Sequence, residues 1–364
     1  MCHGNSLFSL PNISLHSLVS LCALITVTGC GSDNGDEQPA PSVSQTDRID
    51  FSAIKSPIVL KGDSDQAFRD PAACYHDGVL RLYYTYWLKD SDGKRYSYTA
   101  VSKSRDLVNW TAPVLITPKD LNLNFSSPGN IIRYGNEWIL CHQTYPTPNG
   151  EKYGNENCRI WITRSRDLEN WGPPEMLMVK GPNVPVEEMG RLIDPYLVED
   201  KDEPGKWWCF FDDNAANMSY SYDLRTWTYF KRMPCGENAC VLIDNDEYLL
   251  IYDPKDEGLG AGMKRSGDME NWTDIEQRIP LGGDQWQWAP NGIQAAFVID
   301  LREAKRIGKY LMFFHAGPGF KDHVSIGMAW SDDFENWYWP GKKGTSTHSG
   351  AEGETDRVEL TGNL

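Results

Sequence analysis

The chain has 364 residues and a formal net charge of −16, enough length for one large domain or two smaller ones. That acidic balance excludes a nucleic-acid partner, whose phosphates need a basic footprint. Fourteen Trp and 17 Tyr suit a fold whose elements pack through large aromatic faces.

Residues 1–30 read as an export segment rather than part of a fold. An apolar run at 18–27 leads into Val27-Thr28-Gly29-Cys30, which resembles the lipobox of bacterial lipoproteins. The resemblance makes Cys30 the expected lipidation site. It places the protein at the bacterial cell envelope (outer membrane or periplasm), joined to the membrane only through a lipid anchor. The first 13 residues carry no Lys or Arg, unlike the usual basic start of such a signal. Residues 31–50 read as a flexible polar tether too poor in apolar side chains to pack. Beyond the leader stand Cys74, Cys141, Cys158, Cys209, Cys235 and Cys240. None has zinc-site spacing, and their strand-like surroundings suit buried free thiols.

From residue 51 to 340 one phrase recurs five times: SRDLVNW at 104–110, SRDLENW at 165–171, SYDLRTW at 221–227, SGDMENW at 266–272 and SDDFENW at 331–337. Successive tryptophans at 110, 171, 227, 272 and 337 are 61, 56, 45 and 65 residues apart. A period of this size, containing several short strands, predicts an all-β, five-bladed β-propeller. Each repeat carries a polar–Pro element, an apolar run, a Gly/Asn/Asp turn and an aromatic strand. The phrase itself is expected to be structural, with Ser and Asp capping a turn and Trp filling the gap between blades. Residues 341–364 read as a flexible tail.

In a propeller the innermost strands converge on the axis. This predicts that Asp70, Ser127, Asp194, Glu237 and Asn291 meet at one mouth. The antiparallel second strands should return Tyr86, Trp87, His142, Gln143, Asp212, Asp213, Asp253 and His315 to its rim. Asp70, Asp194 and Glu237 would then supply the carboxyl groups that glycosidic hydrolysis needs. One donates a proton to the leaving oxygen and another activates water or attacks the sugar.

Phe68-Arg69-Asp70-Pro71, Arg191-Leu192-Ile193-Asp194-Pro195 and the Ser-x-Asp-Leu-x-x-Trp phrases resemble the five-bladed glycoside hydrolases of the arabinanase and β-xylosidase type (family 43) and their relatives in families 117, 32 and 68. The resemblance covers roughly residues 60–340. It implies Asp70 as general base, Asp194 as the carboxylate that tunes and orients the acid, Glu237 as general acid, and an inverting reaction on plant or algal oligosaccharides. The arabinanase pattern expects Glu-Gly-Pro where this chain has Glu237-Asn238-Ala239, so His315, His142, Glu187 and Glu188 stand as alternative acids. Substrate contacts are expected from Arg69, Trp87, His142, Gln143, Arg191, Trp288 and His315, with Tyr145 and Trp286 beside them. No cofactor is required; some relatives hold an axial cation, calcium or sodium, through a His placed like His315. Two other readings compete. One is a propeller phosphorylase, which would need a basic trio at the mouth. The other is a surface glycan-binding lipoprotein without catalysis.

Overall fold

The computed structural model describes residues 48–255 and 260–340. The leader with Cys30, the tether up to residue 47 and the tail at 341–364 lie outside the described residues. Strand β1 (Ile58–Leu60) precedes the first blade, which contains β2 (Gln66–His76), β3 (Val79–Lys89), β4 (Arg95–Ser104) and β5 (Val114–Leu115). Blade two contains β6 (Phe125–Tyr134), β7 (Glu137–Thr144), β8 (Ile160–Ser165) and β9 (Glu175–Met176). Blade three contains β10 (Ile193–Glu199), β11 (Trp207–Asp212), β12 (Ala216–Ser221) and β13 (Thr228–Arg232). Blade four contains β14 (Glu237–Asp244), β15 (Glu247–Asp253), β16 (Ala261–Ser266) and β17 (Thr273–Ile279). Blade five contains β18 (Gln294–Leu301), β19 (Lys309–Ala316), β20 (Ser325–Ser331) and β21 (Trp337–Tyr338).

These five antiparallel sheets form a five-bladed β-propeller, with β2, β6, β10, β14 and β18 packed around the axis. The ring is closed by the chain's beginning: β1 pairs with β20, Ile58 opposite Gly327 and Leu60 opposite Ile326. The first described strand therefore completes the last blade, a closure the repeat alone does not reveal. Hairpin connections follow turn chemistry. Asp77-Gly78 and Asn245-Asp246 take φ of 51° and 71°, and 51° and 64°, the left-handed pairs that match the twist of two-residue hairpins.

The repeated phrase is a turn built from its own side chains. In blade one, Ser104 Oγ accepts the Leu107 N–H at 2.9 Å, and Asp106 Oδ1 accepts those of Val108 and Asn109 at 2.9 and 2.8 Å. Asp167, Asp223, Asp268 and Asp333 repeat the arrangement. Backbone N–H groups of Thr226 and Arg225 pull the Asp223 carboxyl down to about 2. The apolar residue at the fourth position is forced into the left-handed region in every copy: Leu107, Leu168, Leu224, Met269 and Phe334 have φ between 56° and 67°. That conformation is costly for a residue with a Cβ; the Asp and Ser hydrogen bonds and burial of the apolar side chain offset it.

The closing tryptophan reaches back to the preceding blade. Trp110 meets Phe313 of blade five at 6.2 Å, Trp171 meets Tyr83 of blade one at 5.9 Å, and Trp272 meets Phe210 of blade three at 6.1 Å. Trp227 is buried in a cluster with Ile139, Cys141, Ile160 and Ile162 of blade two. All six cysteines of the described residues are free thiols, and only Cys235 is not fully buried. Because Trp227 fills a seam between blades, Trp227→Ala should cost about 3–5 kcal/mol. Asp223→Ala, which removes only the turn cap, should cost about 1 kcal/mol. Guanidinium unfolding of the two variants checks the order; equal losses would contradict it.

Candidate active site

All five innermost strands carry the same irregularity at the same place. A bulge interrupts the pairing after Arg69, Ser126, Ile193, Glu237 and Gln294. The next residue is left-handed each time: Asp70 (φ 49°), Ser127 (37°), Asp194 (53°), Asn238 (57°) and Ala295 (48°). Bulges re-aim side chains, and here they turn this level of each strand toward the axis. Close approach is part of the design. A Cβ on Gly129 would lie 1.6 Å from the Pro195 carbonyl oxygen of the neighbouring blade.

The left-handed residues are held from the blade before. Opposite each bulge, the second strand presents Thr85, Gln143, Asp212, Asp253 or His315. Thr85 Oγ1 accepts the Ser127 N–H at 2.6 Å, and Gln143 Oε1 accepts that of Asp194 at 2.5 Å. Asp253 accepts from Ala295 N at 2.9 Å, and His315 Nδ1 accepts from Asp70 N at 3.1 Å. Between blades three and four the pattern breaks. Asp212 Oδ2 is buried without a hydrogen-bond partner and lies 3.9 Å from Lys255 Nζ.

This scaffold fixes the state of Asp70. Thr85 Oγ1, which accepts the Ser127 N–H, donates its single proton to Asp70 Oδ2 at 2.7 Å. Ser127 Oγ donates to the same oxygen at 3.1 Å. Asp70 thus presents an acceptor oxygen, the form a proton-abstracting base requires. Arg69 Nε lies 3.9 Å from the other oxygen.

Asp70, Asp194 and Glu237 line one pocket of about 190 Å³. Burial, then the charges of Glu237 and Asp70, push the Asp194 carboxyl well above its ordinary range. Glu237 is also raised, by burial and then by Asp212, with Arg191 opposing. Its side chain still reaches solvent, as expected for a group on the wall of a concavity. Asp253, opposite Glu237 in the ladder, is raised to about 7 by burial; hydrogen bonds from Ala295 N and Asn238 Nδ2 oppose that rise.

Arg69, Trp87, Gln143, Tyr145 and Arg191 line the same pocket. Arg191 donates to the Gly154 carbonyl and the Tyr145 hydroxyl, each at 3.2 Å. Other expected residues fall elsewhere. His142 is buried between blades, stacked on Phe125 with Nδ1 3.1 Å from Thr99 Oγ1. Strand alternation explains this: Gln143 faces the pocket, so its neighbour faces away. Trp286 and Trp288 stack with Phe314 inside blade five and do not line the pocket. Asn291 is exposed ahead of β18, and Ala295 takes the position expected of it. Glu187 and Glu188 are exposed on a 3₁₀ turn, and Asp213 is paired with Lys180; none of the three lines the pocket.

His315 is a positioning residue. Its Nδ1 accepts from Asp70 N, which leaves Nε2 to donate to Gln294 Oε1 at 3.2 Å. Burial, then the Arg69 charge, lower it to about 3. With both nitrogens engaged it has no lone pair for a metal, so the axial residues do not fit a His-held cation. Among the described residues no group of three or more His, Cys, Asp or Glu is arranged to hold one.

No family model and no curated protein matches this sequence. The structure does have solved counterparts. It is similar to an exo-1,5-α-L-arabinanase from a bovine ruminal metagenomic library, at TM-score 0.52 and 14% identity over 78% of this chain and 95% of that one. A thermostable family-43 glycoside hydrolase aligns at TM-score 0.52 and 13% identity, covering 74% and 91%. The catalytic domain of an α-L-arabinofuranosidase from Coprinopsis cinerea aligns at 0.53 and 14%, covering 74% and 94%. At these identities the likeness is one of fold, and it is the fold that the sequence motifs pointed to.

Thr85, Ser126, Tyr153 and Phe320 also line the pocket and were not singled out from sequence. Thr85 was legible in principle as the residue before Tyr86 and Trp87, one place along the alternation. Tyr153 and Phe320 come from loops of blades two and five and meet edge to face at 5.3 Å; no repeat signal marks them. A neutral His315 makes a prediction. The unfolded chain takes up its proton below about pH 6.5, whereas the buried ring resists until about 3, so His315 lowers stability as pH falls through that interval. Nitrogen NMR should show an Nε2–H imidazole that does not titrate between pH 5 and 8; a midpoint near 6.5 would contradict the assignment.

Proposed function

We propose that this protein is a glycoside hydrolase acting on plant or algal oligosaccharides. The observation that carries the reading is the joint presence, in one pocket, of an acceptor-locked carboxylate and two carboxyl groups pushed upward. The former is Asp70; the latter are Asp194 and Glu237. Fold likeness to glycoside hydrolases supports it.

Asp70 acts as general base, taking a proton from the water that attacks the anomeric carbon. Glu237, its carboxyl raised by burial and by the nearby Asp212 charge, gives its proton to the departing oxygen. Asp70 adds to that rise and Arg191 limits it, while Asp194, itself pushed upward by burial, lines the same pocket as the residue that orients the acid. We assign a single displacement with inversion, in line with the sequence resemblance. The sequence departure at Asn238 has a physical explanation. The middle position of Glu-Gly-Pro is the left-handed one, and Asn is among the residues that best replace Gly there. The motive for a binding-only reading is thereby weakened.

Asp70→Asn should fold and lose at least about 10³-fold in turnover on natural linkages; retained activity would end the base assignment. Glu237→Gln should slow natural linkages by about 10²–10⁴-fold yet spare dinitrophenyl glycosides, whose leaving group needs no proton. Removing the neighbouring charge with Asp212→Asn should lower the Glu237 pKa. The high-pH limb of the activity profile would then move to lower pH, and an upward shift would refute the coupling.

A further inference from the structure

The protein is strongly acidic, yet the groove next to the pocket is basic. It has a volume of about 700 Å³, and Arg232 and Lys255 are among its lining residues, with no carboxylate among those described. Arg232 is exposed, and Lys255 keeps 55% of its side chain in solvent. Both cations converge on one atom: Arg232 and Lys255 donate to the Asn214 carbonyl oxygen at 3.1 and 2.9 Å. Two like charges held around one neutral acceptor repel each other, and Asp212, 3.9 Å from Lys255, is buried. Lys264 behind them is already matched by Asp274.

Location gives the groove its role. Gly236 lines the groove and its neighbour Glu237 lines the pocket, so the groove begins one residue from the proposed acid. Whatever leaves with the oxygen that Glu237 protonates must lie on the acid's side. The opposite side is walled by Phe320 and Tyr153. Tyr252, Pro234 and Pro254 give the groove flat apolar surfaces suited to a sugar ring.

We propose that this groove is the leaving-group subsite and that the sugar it takes carries an anionic group, a uronate carboxylate or a sulfate ester. The charge is read by Arg232 and Lys255. The subsite rests on Glu237 being the acid, whereas the charge preference is a binding property and can be measured alone.

The test uses the full chain bearing Asp70→Asn and matched glycan pairs: uronate-containing oligosaccharides with their carboxyl-reduced forms, and sulfated ones with their desulfated forms. Titration calorimetry at low salt should show the acidic member of at least one pair binding about tenfold tighter. The pair that responds tells carboxylate from sulfate. Arg232→Gln with Lys255→Gln should erase the preference and leave the affinity for the neutral members unchanged. Arg232→Lys with Lys255→Arg should restore it. No preference in any pair, or a preference that survives the Gln variants, overturns the proposal. Continued hydrolysis by Asp70→Asn would instead remove the catalytic reading and leave the binding result standing.

Discussion

The molecule depends on a hydrogen bond made across the seams of its blades. A strand bulge places one left-handed residue of each innermost strand at the axis. Such a residue, when not Gly, is strained, and its N–H points away from its own ladder. At four seams a side chain from the preceding blade accepts that N–H. The same bond therefore stabilises the bulge, ties adjacent blades together and fixes where the axial side chain points. Asp70 and Asp194 owe their positions to residues 245 and 51 positions away, His315 and Gln143.

Five-fold repetition was legible because the outer turn demands particular side chains. Only Ser and Asp at those places can hold an apolar residue left-handed, so the phrase survives in recognisable form in every blade. The inner bulge demands less. Its left-handed position accepts Asp, Ser, Asn or Ala, and its partner is any acceptor: Thr, Gln, Asp or His. Backbone geometry repeats there without sequence repeating. For that reason Asp70 and Asp194, each followed by Pro, stood out, whereas Ala295 did not and Asn291 was taken in its place.

Side-chain direction was the harder part to read. The second strands bring Trp87 and Gln143 to the pocket, but alternation decides which of two adjacent residues faces it. Gln143 does, while His142 does not, and a one-residue uncertainty in the bulge exchanges them. Trp288 shows a different limit: an aromatic in a loop serves equally as packing or as a sugar platform, and only the neighbouring Phe314 and Trp286 decide. The contribution of β1 to blade five was not legible either, because three residues give no periodicity to read.

The one seam that lacks the common hydrogen bond lies between blades three and four, beside Glu237. Asp212 stands where Thr85, Gln143, Asp253 and His315 stand in the other blades, but its Oδ2 has no donor. A buried carboxylate oxygen left without a donor should cost stability, and a neutral acceptor such as Gln would cost less. What Asp212 supplies is a charge that raises the Glu237 carboxyl, which under the proposed mechanism helps the acid keep its proton, with Lys255 3.9 Å from Asp212 on the other side. The symmetry of the ring is thus relaxed at the seam where pocket meets groove. An ion pair of incomplete contact there links the proposed acid to the cations that would receive the departing sugar.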